Sequence, residues 1–324
     1  MSGVGLGCWA IGGPYQGKGA PLGWGQVDDR ESTRAIHAAL DHGINLFDTA
    51  DMYGCGHSER VLGKALQGRR QKVVVASKFG YGFDEPRKEV TGTINLPEEI
   101  AAALDASLSR LHTDYIDLYQ LHVGNCSPDS ALEVQVRLEE LVLTGKIRAY
   151  GWSTDDTESV AVFKSSRHFV AIQQALNVLQ GSEATLAAVE RRALSSLCRS
   201  PLAMGLLTDK WREHDALPPD DLRSDWAAST GVIPKMLQAV AEIRDILTQD
   251  GRSLVQGALG WLWARSDVTI PIPGFRNELQ VIEHASAMRK GPLSSEQMVE
   301  IEKTITRDFP VNPTILRKKA IIGQ

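Results

Sequence analysis

Apolar positions along this chain gather into short runs of strand length, set apart by segments with helical spacing. The runs are VGLGCWA (4–10), INLFDTA (44–50), KVVVASK (72–78), YIDLYQLH (115–122), IRAYGWS (147–153), AIQQALN (171–177), the weaker SSLCRSP (195–201) and VTIPIPG (268–274). Bounded apolar runs of this length predict buried strands. Between the first two runs, in 28–43, Ala35, Ile36, Ala39 and Leu40 share one helical face and Gly43 closes it. Segment 97–112 opens with Pro97, Glu98 and Glu99, a helix-start signature that suits the dipole. Further helices are predicted over 58–68, 129–146, about 235–249, 253–266 and 277–289. Eight strands, each with a candidate helix, predict an α/β fold of the (β/α)8 TIM-barrel type. No linker is long enough to split the chain, so 1–324 is expected to form a single domain. Segments 13–27, 79–95 and 209–232 are predicted as loops, and 307–324 as a C-terminal tail extended over the barrel surface.

In a parallel β/α barrel every strand ends on one face, and that face carries the active site. Asp48, Lys78 and His122 close three consecutive runs, and Tyr53 lies just past the first of them. Taken singly, each has an ordinary reading. Asp48 would cap a turn, Lys78 would sit on the surface, Tyr53 would pack half-buried and His122 would be a satisfied core histidine. Lys78, however, ends a run that should be buried, so its ammonium needs a counter-ion, and Asp48 one strand over is the candidate. An ammonium beside a phenol is expected to lower the phenol's pKa and make it a usable acid near neutrality. The four residues together suit proton transfer to a carbonyl oxygen without a metal or a covalent nucleophile.

Composition narrows the picture further. The formal net charge of −5 and the dispersed basic residues offer nothing to nucleic acid or an anionic membrane, and Arg317-Lys318-Lys319 is the one tight basic cluster. Cys8, Cys55, Cys126 and Cys198 lie far apart, without metal-ligand spacing or a disulfide framework, which fits a reducing cytoplasm. The N-terminus lacks the basic and apolar regions of a signal peptide, and no run is long enough to span a bilayer. No metal-binding cluster such as HExxH occurs. Gly3-x-Gly5-x-Gly7 lies inside a strand and reads as tight packing, and Gly151-Trp-Ser-Thr-Asp lacks the second glycine of a nucleophile elbow.

The run FDTADMYGCGHSERVLGKAL (47–66), then ASKFG (76–80), DLYQLH (117–122), RSPLAMGLLTDK (199–210) and TIPIPGFRN (269–277) closely resembles the aldo-keto reductases. The match follows the family order over nearly the whole chain. The resemblance implies a barrel that binds NADP(H) in an extended pose with no Rossmann domain, and that reduces a small aldehyde or ketone to an alcohol. It makes Tyr53 the proton donor, Lys78 and Asp48 the pair that tunes it, and His122 the group that orients the carbonyl.

The same resemblance implies a set of cofactor contacts. Cys8 and Trp9 would meet the cofactor at the end of the first strand, and Ser153 and Gln173 would meet its carboxamide. Ser200, Leu202, Gly205 and Lys210 would flank the pyrophosphate, Arg276 would clamp the 2′-phosphate, and Gln280, Glu283 and His284 would lie near the adenine. A guanidinium is a natural phosphate clamp, and Arg276 at a helix start would otherwise oppose the dipole. Three departures stand out. Arg199 replaces an aromatic that stacks on the nicotinamide in many members, Thr154 replaces an asparagine, and His284 replaces the adenine-side asparagine. Arg199 is expected either to stack its flat guanidinium on that ring, disfavouring the oxidised form, or to turn away and pair with a carboxylate. The hairpin that usually plugs the barrel bottom is expected to be short or missing. The alternative function is an NADP(H)-binding regulatory or redox-sensing subunit of the same fold, like the potassium-channel β-subunits; the intact tetrad favours the enzyme.

Overall fold

The structure, a computed structural model, describes residues 1–324 except 95, 125, 164–165, 211–216, 225, 227–230, 308 and 310–324. Parts of the expected 209–232 loop and nearly all of the expected tail therefore lie outside the described residues.

Eight parallel strands pair in chain order: β1 (Leu6–Gly7), β2 (Leu46–Asp48), β3 (Val74–Phe79), β4 (Ile116–Leu121), β5 (Ile147–Ser153), β6 (Phe169–Ala175), β7 (Ser195–Arg199) and β8 (Thr269–Pro271). The ring closes where the Gly5 and Gly7 amides donate to the Pro271 and Pro273 carbonyls, each at 2.9 Å. At this seam a Cβ on Gly7 would stand 2.9 Å from the Ile272 carbonyl oxygen, so the close approach requires glycine. Each predicted strand is present, and the fold is the (β/α)8 barrel.

Helices α1 (Asp29–Asp41), α2 (His57–Ala65), α3 (Ile100–Leu111), α4 (Pro128–Leu143), α5 (Ser159–Val162), α6 (Glu183–Arg191), α7 (Val232–Leu247), α8 (Leu254–Arg265), α9 (Glu278–Lys290) and α10 (Ser295–Thr304) surround the barrel. Their starts follow local chemistry. The Asp28 carboxylate accepts from the Arg30 and Glu31 amides ahead of α1, and Ser253 with Gln256 forms a reciprocal capping box on α8. The candidate helix after β5 is a single turn, α5.

The strand period of two arranges the barrel interior in layers. Leu46, Ala76, Leu118, Ala171, Leu197 and Ile272 form a closed apolar plug. Two residues further along the strands, Asp48, Lys78, Gln120, Gln173 and Arg199 form the next inward layer, and it is polar. Truncating one of the plug leucines to alanine would cost about 2–5 kcal/mol.

Two segments read as loops are ordered differently. Strands Gln16–Gly17, Ala20–Pro21, Tyr81–Asp84 and Glu89–Thr93 form a separate four-stranded sheet that joins 13–27 to 79–95. Tyr15, Leu22, Met52, Tyr81 and Val90 cluster beneath it. A third segment is clasped to the first, where the Leu222 amide donates to the Gly23 carbonyl at 2.9 Å.

Candidate active site

Lys78 is fully buried in the polar layer, and all three of its donors are used. Its Nζ donates to Asp48 Oδ2 at 2.7 Å, to the Thr49 carbonyl at 2.8 Å and to Tyr53 Oη at 3.1 Å. Burial alone would lower its pKa, but Asp48 and Tyr53 outweigh burial and hold it above its ordinary value. The expected ion pair is therefore present.

Tyr53 lies in the turn after β2. A Cβ on Gly54, at φ +59°, would stand 1.9 Å from the Gly12 carbonyl oxygen, so glycine permits the contact that fixes this turn. The Trp9 ring stacks on the Tyr53 ring at 5.8 Å, and His122 meets it edge-on at 5.9 Å. The expected lowering of the Tyr53 pKa is corrected. Burial pushes the phenol up, Lys78 opposes this, and Asp48 adds to the rise. The phenol therefore keeps its proton at neutral pH.

Above these residues opens a cavity of about 970 Å³. Asp48, Tyr53 and His122 line it, together with Trp9, Tyr15, Trp24 and Tyr81. Ser153, Gln173, Arg199, Ser200, Leu202, Gly205 and Lys210 line it as well, as do Arg276, Gln280, Glu283 and His284. Lys78 sits beneath, so the structure brings together all four proposed catalytic residues.

Among the expected cofactor residues, one is turned away from the cavity. Cys8 is fully buried in the main core and its thiol turns to the Leu6 carbonyl. Strand alternation explains this, since Gly7 and Trp9 face the cavity and Cys8 faces away. Gln173 spends its amide inward, donating to Asp48 Oδ1 at 2.7 Å and to Gln120 Oε1 at 3.1 Å. The Arg199 guanidinium is held in an ion pair by Asp155, the second of its two expected placements. A carboxylate within reach forms a charge-assisted bond, which outweighs stacking.

Arg276 donates to the Trp24 carbonyl at 3.1 Å and also to that of Gln26. His284 is buried, with its Nε2 bonded to the Gly274 carbonyl at 3.1 Å. Burial pushes its pKa down to about 4, so the ring is neutral near pH 7. Its Nδ1 is buried without a hydrogen-bond partner among the described residues.

Reading the sequence missed Gln120, which donates to Asp48 Oδ1 at 3.1 Å. The signal was available, because Gln120 lies two residues past Leu118 on the inward face. The aromatic lining from Tyr15, Trp24 and Tyr81 had no such signal, because tertiary pairing of two distant loops creates it. Among the described residues no helix is long and apolar enough to cross a membrane.

A family model for the aldo/keto reductase family matches residues 3–306. The aldo-keto reductase YhdN of Bacillus subtilis is 33% identical, with 97% of this chain and 93% of that protein covered. An aldo-keto reductase of Schizosaccharomyces pombe whose name carries NADP(+) is 29% identical, covering 93% of this chain and 87% of that one. The solved structure of the glycerol dehydrogenase of Gluconobacter oxydans is similar at a TM-score of 0.81 and 33% identity, covering 97% of this chain and 94% of the other.

Proposed function

Because this chain belongs to the aldo/keto reductase family, we propose that it reduces an aldehyde or ketone to an alcohol with NADPH, and that Tyr53 gives the proton. The observation that carries this reading is the Asp48–Lys78–Tyr53 chain, bonded at 2.7 and 3.1 Å and ending at the cavity wall. An acid with a fixed cation behind it is what carbonyl reduction needs.

The lining fits NADP(H). Arg276 and Lys210 are cations suited to phosphate, and phosphate would replace neutral carbonyls as the acceptor for Arg276 with stronger, charge-assisted bonds. With its proton on Nε2, His284 offers a spare buried acceptor at Nδ1 for the amino group of a purine. When bound, NADPH supplies the hydride that reaches the carbonyl carbon. Tyr53 donates its proton to the carbonyl oxygen as charge builds there, and Lys78 stabilises the phenolate that remains. Asp48 keeps the ammonium charged and aimed. His122, edge-on to Tyr53, would orient the carbonyl. The substrate is a small molecule that enters past Trp9, Trp24 and Tyr81, and the chain is expected to act as one catalytic unit.

The test follows NADPH oxidation in purified protein against aldehydes, ketones and sugars. Tyr53→Phe should lose about 10²–10⁴ in kcat while binding NADPH nearly as well. Near-normal turnover in this variant would remove Tyr53 from the proposed role.

A further inference from the structure

We propose that the Arg199–Asp155 pair sets the relative affinity of the site for NADP⁺ and NADPH, an inference that rests on the reductase reading above. Arg199 belongs to the inward polar layer, two residues past the plug residue Leu197, so its guanidinium enters the barrel mouth. Asp155 follows β5 and is anchored there. Its Oδ1 accepts from the Ala175 amide at 2.7 Å, and its Oδ2 meets Arg199. Both side chains line the cavity and remain partly exposed, at 23% and 31%.

Proximity to the reacting atoms follows from chemistry. The proton donor and the hydride donor must touch the same carbonyl group, so the nicotinamide lies beside Tyr53. Arg199 is near enough for its charge to be felt at the Tyr53 oxygen. The ring carries a positive charge when oxidised and none when reduced, so a charge here discriminates between the two forms. The Asp48–Lys78 pair below contributes equally in every variant considered. In the intact protein Asp155 is the counter-ion of Arg199 and offsets part of its charge. Removing one partner leaves the other as an uncompensated charge facing the ring.

Arg199→Gln exposes the Asp155 carboxylate, so the ratio Kd(NADP⁺)/Kd(NADPH) should fall roughly 3- to 30-fold for a unit charge in a partly screened site. Asp155→Asn exposes the guanidinium while keeping an acceptor for the Ala175 amide, and the ratio should rise by a similar factor. The double variant should return towards the wild-type ratio, and Arg199→Lys should keep it. Both cofactor forms are titrated by fluorescence into each protein, with thermal melting as the check on folding. If Asp155→Asn fails to fold, Arg199→Gln decides alone. A ratio unchanged within about twofold in Arg199→Gln, or shifts of the same sign in both single variants, overturns the inference. Wild-type protein that binds neither form overturns the reductase reading instead.

Discussion

Gln173 and Asp48 are joined by a 2.7 Å hydrogen bond at Oδ1, the oxygen that Lys78 leaves free. The carboxylate that steadies the catalytic ammonium is thus itself held from β6, across the barrel. Gln173→Leu would leave this buried oxygen with the longer Gln120 bond. It should cost about 1.5–3 kcal/mol of stability, the usual worth of a hydrogen bond to a charged group. Urea unfolding measures it. A variant of unchanged stability that binds NADPH poorly would return Gln173 to the cofactor.

Lys78→Met should be as inactive as Tyr53→Phe and also less stable by about 3–5 kcal/mol, because Asp48 becomes a buried charge without a partner. The folded protein holds the Lys78 pKa above 10.5 and the Tyr53 pKa above 10.0, so both bind their protons more tightly folded than unfolded. Their contribution is fully present below about pH 10 and is lost as pH rises through the raised values. Denaturation midpoints between neutral and strongly alkaline pH should fall more steeply in wild type than in Lys78→Met. Equal slopes would contradict the pairing, as would an unchanged pH–rate profile for the residual activity.

Arg276→Ala should weaken NADPH more than NADH, since NADH lacks the phosphate proposed to meet the guanidinium. The loss expected is about 1.5–3 kcal/mol, or roughly 10- to 150-fold in Kd. Calorimetric titration of both cofactors checks this. Equal losses would leave Arg276 with its present role of tying the backbone at Trp24 and Gln26.

His284 should make the protein acid-sensitive. Its pKa is pushed from 6.5 down to about 4, so the unfolded chain takes up a proton before the folded one does. Stability is fully present above 6.5 and is lost as pH falls towards 4, by about 3 kcal/mol once both states are protonated. His284→Asn should flatten this part of the stability–pH curve. A curve that keeps its slope would assign the acid lability elsewhere.

The barrel was legible because its strands are buried along most of their length and so appear as apolar runs, several of them ending at a polar residue. Asp48, Lys78 and His122 stood out as such endings. The ends of elements were less visible. β1 is two residues long inside a seven-residue run. Helix α10 went unread although Ser294 and Gln297 form a capping box at its start. The Tyr53 pKa was misjudged because a sequence reveals a neighbouring charge but not the burial that outweighs it. Arg199 could be placed in the barrel mouth, but its partner Asp155 lies on another strand's loop, and only the folded register brings the two together.

The small sheet has a consequence for how this protein can change. Gln16 pairs with Glu89 and Gly17 with Val90, so two stretches some seventy residues apart form one wall of the entrance. The clasp from Leu222 to Gly23 ties a third stretch to the same wall. Diversification of substrate scope, by drift or by engineering, must therefore exchange these segments as a set. A graft of one alone would leave unpaired backbone on the other and misplace Tyr81, which stands over His122 with ring centres 5.6 Å apart.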